Sequence, residues 1–274
     1  MVPFVEAHGA RIPAIGFGTM TLKEDVGVEM VSAALRIGYR HLDTAQMYGN
    51  EREVGEALRA SGVKREDVFI TTKVWWDRLQ PGDFEKSVEE SLEKLKLPVV
   101  DLLLIHWPGK VPLADSIGSL NKVKRAGLTR HIGIANFTIP HIEEAVRLSP
   151  ETLVTNQIEV HPFIDQARVI ATCRRHGLSI TAYCPIWRGK AHGNEVLERI
   201  GKAHGKSAAQ VSLRYLVQQG IIPIPRTSKR ERLKENLEIF DFSLSETEMA
   251  EIGKLKRPDG RVVSPPHAPQ WDAA

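Results

Sequence analysis

Cysteine is scarce. The chain of 274 residues has 2, Cys173 and Cys184, too few for a disulfide framework, so a reduced, cytoplasmic setting is expected. A strong charge of either sign is also missing. A net charge of +3 offers no basic field for nucleic acid or for a membrane surface. No apolar run approaches the ~20 residues of a membrane span. The opening Met-Val-Pro-Phe-Val-Glu has neither the basic start nor the apolar stretch of a signal peptide. The 10 histidines show no ligand spacing, so no metal site is expected. No linker or change of composition divides the chain, which reads as one domain over residues 1–274. A strand–helix Gly-x-Gly-x-x-Gly is absent too, because Gly16-Phe-Gly-Thr-Met-Thr21 breaks it at the last position. A dinucleotide would have to bind in some other way.

What remains is an ordinary globular composition, 42% hydrophobic and 26% charged, long enough to bury a sizeable core. Residues 4–12 read as a hairpin turning at His8-Gly9. After Ala14–Thr19, apolar runs of strand length alternate with amphipathic segments. Phe84, Val88, Leu92 and Leu95 form one helical face, and Val99–Ile105 is apolar enough for a strand buried on both sides. Asn50-Glu-Arg-Glu53, Ser207-Ala-Ala-Gln210, Ser228-Lys-Arg-Glu231 and Ser245-Glu-Thr-Glu248 have the form of capping boxes. The proline-rich tail from Arg257 reads as irregular, with Trp271 placed to fold over a site. About eight strands alternating with helices imply a parallel sheet, closed as a (β/α)8 TIM barrel, with an open doubly wound sheet as the competitor.

Polar residues recur where these strands end. In order they are Asp43, Lys73, His106, Asn136, Gln157, Tyr183 and Arg226, each about one strand-and-helix unit after the last. Singly, a polar residue at a strand end is more often a turn former or a cap than a functional group. Seven in register are harder to explain that way, because all strand C-termini of a barrel face one mouth.

The sequence around them resembles the aldo-keto reductase family. Gly38–Glu51 looks like its first signature. Leu103–Pro108, Ile132–Phe137, Asn156-Gln157 and Ile224–Ser228 are similar to later ones, in order and across nearly the whole chain. The short loops look most like the bacterial diketogluconate and methylglyoxal reductases. The resemblance implies a barrel that reduces aldehydes or ketones with NADPH.

The chemistry of the residues agrees. Carbonyl reduction needs a hydride and a proton, and a phenol with a pKa of ~10 is a weak acid. An ammonium beside the phenol is expected to lower that pKa, with a carboxylate holding the ammonium in place. Asp43, Tyr48 and Lys73 are such a set, His106 would orient the carbonyl oxygen, and the resemblance implies the same four. Taken alone, Asp43 reads as a strand-end acid, Lys73 as a solvated or Schiff-base lysine, His106 as a core histidine and Tyr48 as a surface ring.

For NADPH/NADP+, the resemblance implies Asn136 and Gln157 at the carboxamide, Tyr183 against the nicotinamide ring, and Gly18 and Thr19 nearby. It implies Arg226, Thr227, Ser228 and Arg232 at the 2′-phosphate, with Glu235 and Asn236 at the adenine. The family usually has lysine where Arg226 stands; arginine keeps the charge and can bind phosphate bidentately. The substrate pocket is expected to use Met20, Trp75, Trp107, Phe137 and Trp187 with His106, and Trp76 reads equally as core. Met20 stands where the family often has an aromatic residue, and Cys184 where it commonly has serine. The expected partner is a small carbonyl compound, and the expected state a monomer. A cofactor-binding sensor on the same barrel and a lysine-dependent aldolase are the alternatives.

Overall fold

Two short strands open the computed structural model, which describes residues 2–273. Strands β1 (Phe4–Ala7) and β2 (Ala10–Pro13) pair antiparallel. His8 at φ 48° and Gly9 at φ 82° form a two-residue connection with both dihedrals positive, as a tight hairpin requires.

Eight parallel strands follow. They are β3 (Phe17–Gly18), β4 (His41–Asp43), β5 (Phe69–Val74), β6 (Val100–Ile105), β7 (Thr129–Ala135), β8 (Leu153–Glu159), β9 (Ser179–Tyr183) and β10 (Ile221–Pro223). Each pairs with the next in sequence. The Gly16 amide donates to the Pro223 carbonyl at 2.9 Å and the Gly18 amide to that of Pro225 at 3.1 Å, which joins the last strand to the first. The result is a (β/α)8 barrel. All six residues of β6 are buried, as the apolar run Val99–Ile105 foretold.

Helices α1 (Glu24–Ile37), α2 (Glu51–Ala60), α3 (Asp83–Leu95), α4 (Leu113–Arg125) and α5 (Ile139–Leu148) cover the first five barrel strands. Helices α6 (Ala167–Arg175), α7 (Glu195–His204), α8 (Ala208–Val217), α9 (Arg230–Leu237) and α10 (Glu246–Gly253) complete the ring. The main core lies between strands and helices, where Phe84, Val88 and Leu95 of α3 are fully buried. A second cluster fills the barrel with Leu102, Leu104, Ala135, Val154 and Ile222, and Ala7, Ala10 and Ile12 of the hairpin join it. Because β2 runs directly into β3, the hairpin closes the end where the strands begin, leaving the other end as the mouth. Among the described residues, no helix is long and apolar enough to cross a membrane.

Two of the four capping boxes form as read, at Ser207 and Ser245. The Asn50 box does not. Asn50 precedes α2, but its amide donates to the carbonyls of Thr19 and Leu22, and its oxygen accepts from the Thr44 hydroxyl at 2.7 Å. Glu53 turns instead to the Glu24 amide. Asn50 therefore pins the β3–α1 loop to the end of β4, and tertiary bonds replace the local cap. The Ser228 box also fails, because α9 starts one residue later and Lys229 takes the cap position with no side-chain bond. The tail after α10 is irregular, as the sequence suggested.

Candidate active site

Asp43 ends β4 and Lys73 lies one residue from the end of β5, both in the barrel wall. Their side chains are 1% and 0% exposed and meet at 2.6 Å, which makes this a fully desolvated ion pair. The ammonium uses all three of its protons. It donates to Asp43 Oδ1, to the Thr44 carbonyl at 2.8 Å and to the Tyr48 hydroxyl at 3.3 Å. Asp43 Oδ2 accepts from Gln157 Nε2 at 2.7 Å, across the mouth from β8. Thr19 holds the same strand end, its amide and hydroxyl both donating to the Asp43 carbonyl at 3.0 Å.

Tyr48 sits on a one-turn 3-10 helix, Gln46–Tyr48, that stops at Gly49 in the left-handed region. Gln46 fixes this turn. Its amide donates to the Ser87 carbonyl and the Ser91 hydroxyl, and its oxygen accepts from the Trp75 amide. The half-buried Tyr48 ring lies edge-on to His106, with centroids 5.7 Å apart.

Asn136 follows β7 in the left-handed region at φ 62°, which asparagine tolerates better than most residues. The bend lets its side chain bridge two strand ends. Asn136 Nδ2 donates to the His106 carbonyl at 2.9 Å, and Oδ1 accepts from the Tyr183 hydroxyl at 2.7 Å. Six of the seven strand-end residues thus meet in two adjoining networks. The seventh, Arg226, lies on the rim. It donates to the Met20 carbonyl and the Thr21 hydroxyl, strapping the β10 end to the β3–α1 loop.

Burial dominates the electrostatics. It pushes the Tyr48 phenol well above its usual range, and the Asp43 carboxylate and Cys184 push the same way. This differs from the expectation that Lys73 would hold the phenol down: the cost of burying a phenolate outweighs the ammonium 3.3 Å away. Tyr48 therefore stays protonated. Burial lowers the Lys73 ammonium, with Asp43 opposing. Burial, then Lys73 and His267, lower His106 well below the usual histidine range, so its imidazole is neutral. Cys184 is pushed up to about 11 by burial and Glu159, which leaves it a thiol and removes any nucleophilic role at neutral pH.

The tail closes over the mouth. Glu159, fully buried at the end of β8, accepts from the backbone amides of Val262 and Val263 at 2.7 and 2.9 Å. Asp272 accepts from the Ile139 amide. Gly260 lies so close to the chain that an added Cβ would stand 1.8 Å from the Phe163 carbonyl oxygen. Between these anchors the Ala268 amide donates to the Pro265 carbonyl, closing a turn that presents His267. Its imidazole lies parallel to Trp76 at 5.1 Å and edge-on to Trp75 and Trp107, each at 5.2 Å. Trp271 packs on Trp107 with the Arg261 guanidinium 3.8 Å from its ring centre.

Trp75, Trp76 and Trp107 thus gather around His267 under the tail. Met20 is exposed on the loop. Two other pocket residues are elsewhere. Phe137 is buried in the main core beside His141, because it follows the bend at Asn136 and faces the helices. Trp187 stacks on Phe163 at 4.5 Å and donates to the Gly260 carbonyl, so it anchors the tail. His267 was missed. Its only signal is the Pro-Pro-His-Ala turn in a stretch dismissed as irregular.

On the rim, Thr227 is buried, and its hydroxyl accepts from the Lys229 amide at 3.0 Å. Ser228, Lys229, Arg230 and Arg232 are exposed around the uncapped start of α9. Further along α9, Glu235 accepts from the Ser207 hydroxyl and Asn236 is buried. A cleft between α1 and α2, lined by Glu24, Asp25, Arg36, Arg52, Glu53 and Glu56, lies away from every strand-end residue.

The comparisons with known proteins fit this geometry. The family model described as "Aldo/keto reductase family" matches residues 14–257. The chain is 43% identical to the methylglyoxal reductase DkgB of Escherichia coli O157:H7 over 266 residues, 95% of this chain and 99% of that protein. It is 40% identical to the glyoxal reductase of Bacillus subtilis (strain 168) over 256 residues, 93% of this chain and 92% of that one. Among solved structures it superposes with a TM-score of 0.98 on one described as a 2,5-diketo-D-gluconic acid reductase B, 51% identical, over 100% of this chain and 98% of the other. A Bombyx mori aldo-keto reductase in complex with NADP superposes at 0.87, 31% identical, over 93% of each chain.

Proposed function

The chain belongs to the aldo/keto reductase family and is an oxidoreductase of carbonyl reduction, and from that premise we propose that it reduces aldehydes or ketones with NADPH, Tyr48 supplying the proton. The observation that carries this reading is the contact chain Asp43–Lys73–Tyr48, at 2.6 and 3.3 Å, with the His106 ring beside the phenol.

The residues present suit the cofactor. Asn136, Gln157 and Tyr183 offer amides and a ring face at the strand ends. At the rim, the start of α9 has no side-chain cap and is flanked by exposed cations, a donor set suited to a phosphate. Arg226, Thr227, Ser228 and Arg232 would hold the 2′-phosphate, Glu235 and Asn236 the adenine end, and Gly18 and Thr19 would border the cofactor at β3. When bound, NADPH supplies a hydride for the carbonyl carbon.

The protein's own residues do the rest. The carbonyl oxygen gains negative charge as its carbon is reduced. Neutral His106 offers it a hydrogen bond. Tyr48, kept protonated by burial, gives up its proton to that oxygen. The phenolate left behind lies 3.3 Å from the Lys73 ammonium, which stabilises it, while Asp43 and Gln157 hold the ammonium in register. Positioned acid catalysis of this kind contributes roughly 10²–10⁴-fold.

The aldolase alternative fits poorly, because a Schiff-base lysine must be free to attack and Lys73 is fully buried with three acceptors. The test is to follow nicotinamide absorbance with NADPH and a panel of dicarbonyls, keto sugars and aromatic aldehydes. Turnover is expected in the wild type and lost in Tyr48→Phe, with NADPH affinity nearly unchanged. Binding of NADPH without turnover on any carbonyl would favour the sensor reading.

A further inference from the structure

Tyr48 does not stand on a strand. It sits on the 3-10 turn between β4 and α2, so its distance from Lys73 on β5 depends on how that turn is held. A positioned acid is only as good as its placement, since a misplacement of about 1 Å can cost roughly 100-fold in rate. The bonds that tie the turn to β5 fall on the two sides of Lys73. On one side, the Thr72 hydroxyl donates to Glu51 Oε1 at 2.6 Å. On the other, the Trp75 amide donates to Gln46 Oε1 at 3.1 Å. Gln46 and Glu51 in turn lie on either side of Tyr48 in the sequence.

Glu51 is buried at a cost. It opens α2, is 2% exposed, and leaves its second oxygen, Oε2, without a partner. Buried polar atoms are nearly always paired, because each forfeits its bonds to water. Burial raises its pKa, with the Thr72 and Ser91 hydroxyls opposing, then Lys94 and Lys73. The same Ser91 hydroxyl accepts from Gln46 Nε2 at 3.1 Å. An acid that served only the start of α2 would do so equally well from the surface. Successive side chains of a strand point to opposite faces, so Thr72 meets Glu51 on the helix side while Lys73 points into the barrel. Glu51 therefore grips β5 from behind the ammonium.

We propose that Glu51 is a positioning residue for proton transfer: with Gln46 it clamps the Tyr48 turn to β5 on both sides of Lys73, and so sets the 3.3 Å contact between phenol and ammonium. The inference rests on the carbonyl-reductase reading, which gives that contact its purpose. Glu51 acts through Thr72 and the turn, and takes no part in binding. Its effect falls on the step in which Tyr48 gives its proton to the carbonyl oxygen and Lys73 steadies the phenolate. A loosened clamp lets the phenol drift from the ammonium while the cofactor is held as before.

The experiment measures the single-turnover rate of carbonyl reduction and the NADPH affinity of wild type, Glu51→Leu, Thr72→Val, Thr72→Ser and the double variant Glu51→Leu/Thr72→Val. Thr72→Val keeps the shape of the strand and removes only the hydroxyl, so it decides the matter even where Glu51→Leu does not fold. Each of the two single variants that break the bond is expected to lower the rate on the order of tenfold, with NADPH affinity near that of the wild type. The double variant should be no slower than the worse single, because both remove one contact. The solvent deuterium isotope effect on the rate should rise as proton transfer becomes limiting. Thr72→Ser keeps the donor and should keep the rate. A melting temperature that falls while the rate holds overturns the proposal, since Glu51 then serves the fold alone. Equal losses of rate and NADPH affinity, or losses that add in the double variant, overturn it too. Crystal structures of wild type and Thr72→Val read the contact directly. A Tyr48–Lys73 separation longer by about 0.5 Å upholds the clamp; an unchanged separation overturns it. If the wild type oxidises no NADPH with any carbonyl, the reductase reading falls, and the measured separation still decides the clamp.

Discussion

Replacing Lys73 with methionine separates what the buried pair does for the fold from what it does for chemistry. The ammonium has three partners, at 2.6, 2.8 and 3.3 Å, and both members of the pair are out of contact with water. Methionine fills most of the volume but removes the charge. The Asp43 carboxylate then keeps only the Gln157 amide, at 2.7 Å, and the Thr44 carbonyl loses a donor. Removing one partner of a buried pair costs about 3–5 kcal/mol, most of it from the charge left behind. For a chain of this size each kcal/mol moves Tm by about 2–4 °C, so Lys73→Met should melt roughly 10 °C below wild type. The double variant Lys73→Met/Asp43→Asn removes both charges and should recover most of that loss, while turnover stays absent in both. Thermal unfolding of the four proteins at neutral pH, followed by circular dichroism, gives the coupling. If the single variant melts within about 2 °C of wild type, or the double falls by the sum of the singles, the pair is not the desolvated unit described here.

Three further perturbations probe other parts of the molecule. Arg232→Ala should weaken NADPH about tenfold, the effect of losing one charged phosphate contact, and should leave NADH nearly unchanged; equal effects in a fluorescence titration would sink the 2′-phosphate assignment. Burial pushes His41 down to about 4, so its contribution to stability is complete above the unfolded value near 6.5 and is lost as pH falls toward 4. The loss, roughly 3 kcal/mol at 1.36 kcal/mol per pKa unit, should appear as a falling urea midpoint from pH 7 to pH 4, flattened in His41→Gln. Gly260→Ala places a Cβ 1.8 Å from the Phe163 carbonyl oxygen and should lift the tail. Tryptophan fluorescence and substrate KM should then change while the melting of the barrel scarcely moves; an unchanged KM would show that the tail does not shape the site.

Much of this was legible in the sequence because the barrel repeats one rule. Each strand delivers its last residues to the same mouth, so Asp43, Lys73, His106, Asn136, Gln157 and Tyr183 could be gathered by position alone. What resisted reading depended on partners distant in sequence. Asn50 has the local form of a cap, yet three tertiary bonds claim its side chain. Phe137 looked like pocket wall until the left-handed bend at Asn136 turned it into the core. The direction of the Tyr48 shift depends first on how far the folded chain desolvates the phenol, which residue types alone do not show. His267 lies beyond the repeat, in a segment with no periodicity, and only its anchors at Glu159 and Asp272 bring it to the mouth.

The two hydrogen bonds that join β10 to β3 also bear on how the chain matures. They link segments about 200 residues apart, and at synthesis rates of about 5–20 residues per second the first strand waits on the order of 10–40 s for its partner. Throughout that interval β3 has an open edge, and it is only two residues long, too short to recruit another chain. The tail follows later still. The nascent protein can therefore assemble its ion pair while the barrel is unclosed and before the tail has been made, so the cover over the mouth is the last part to arrive.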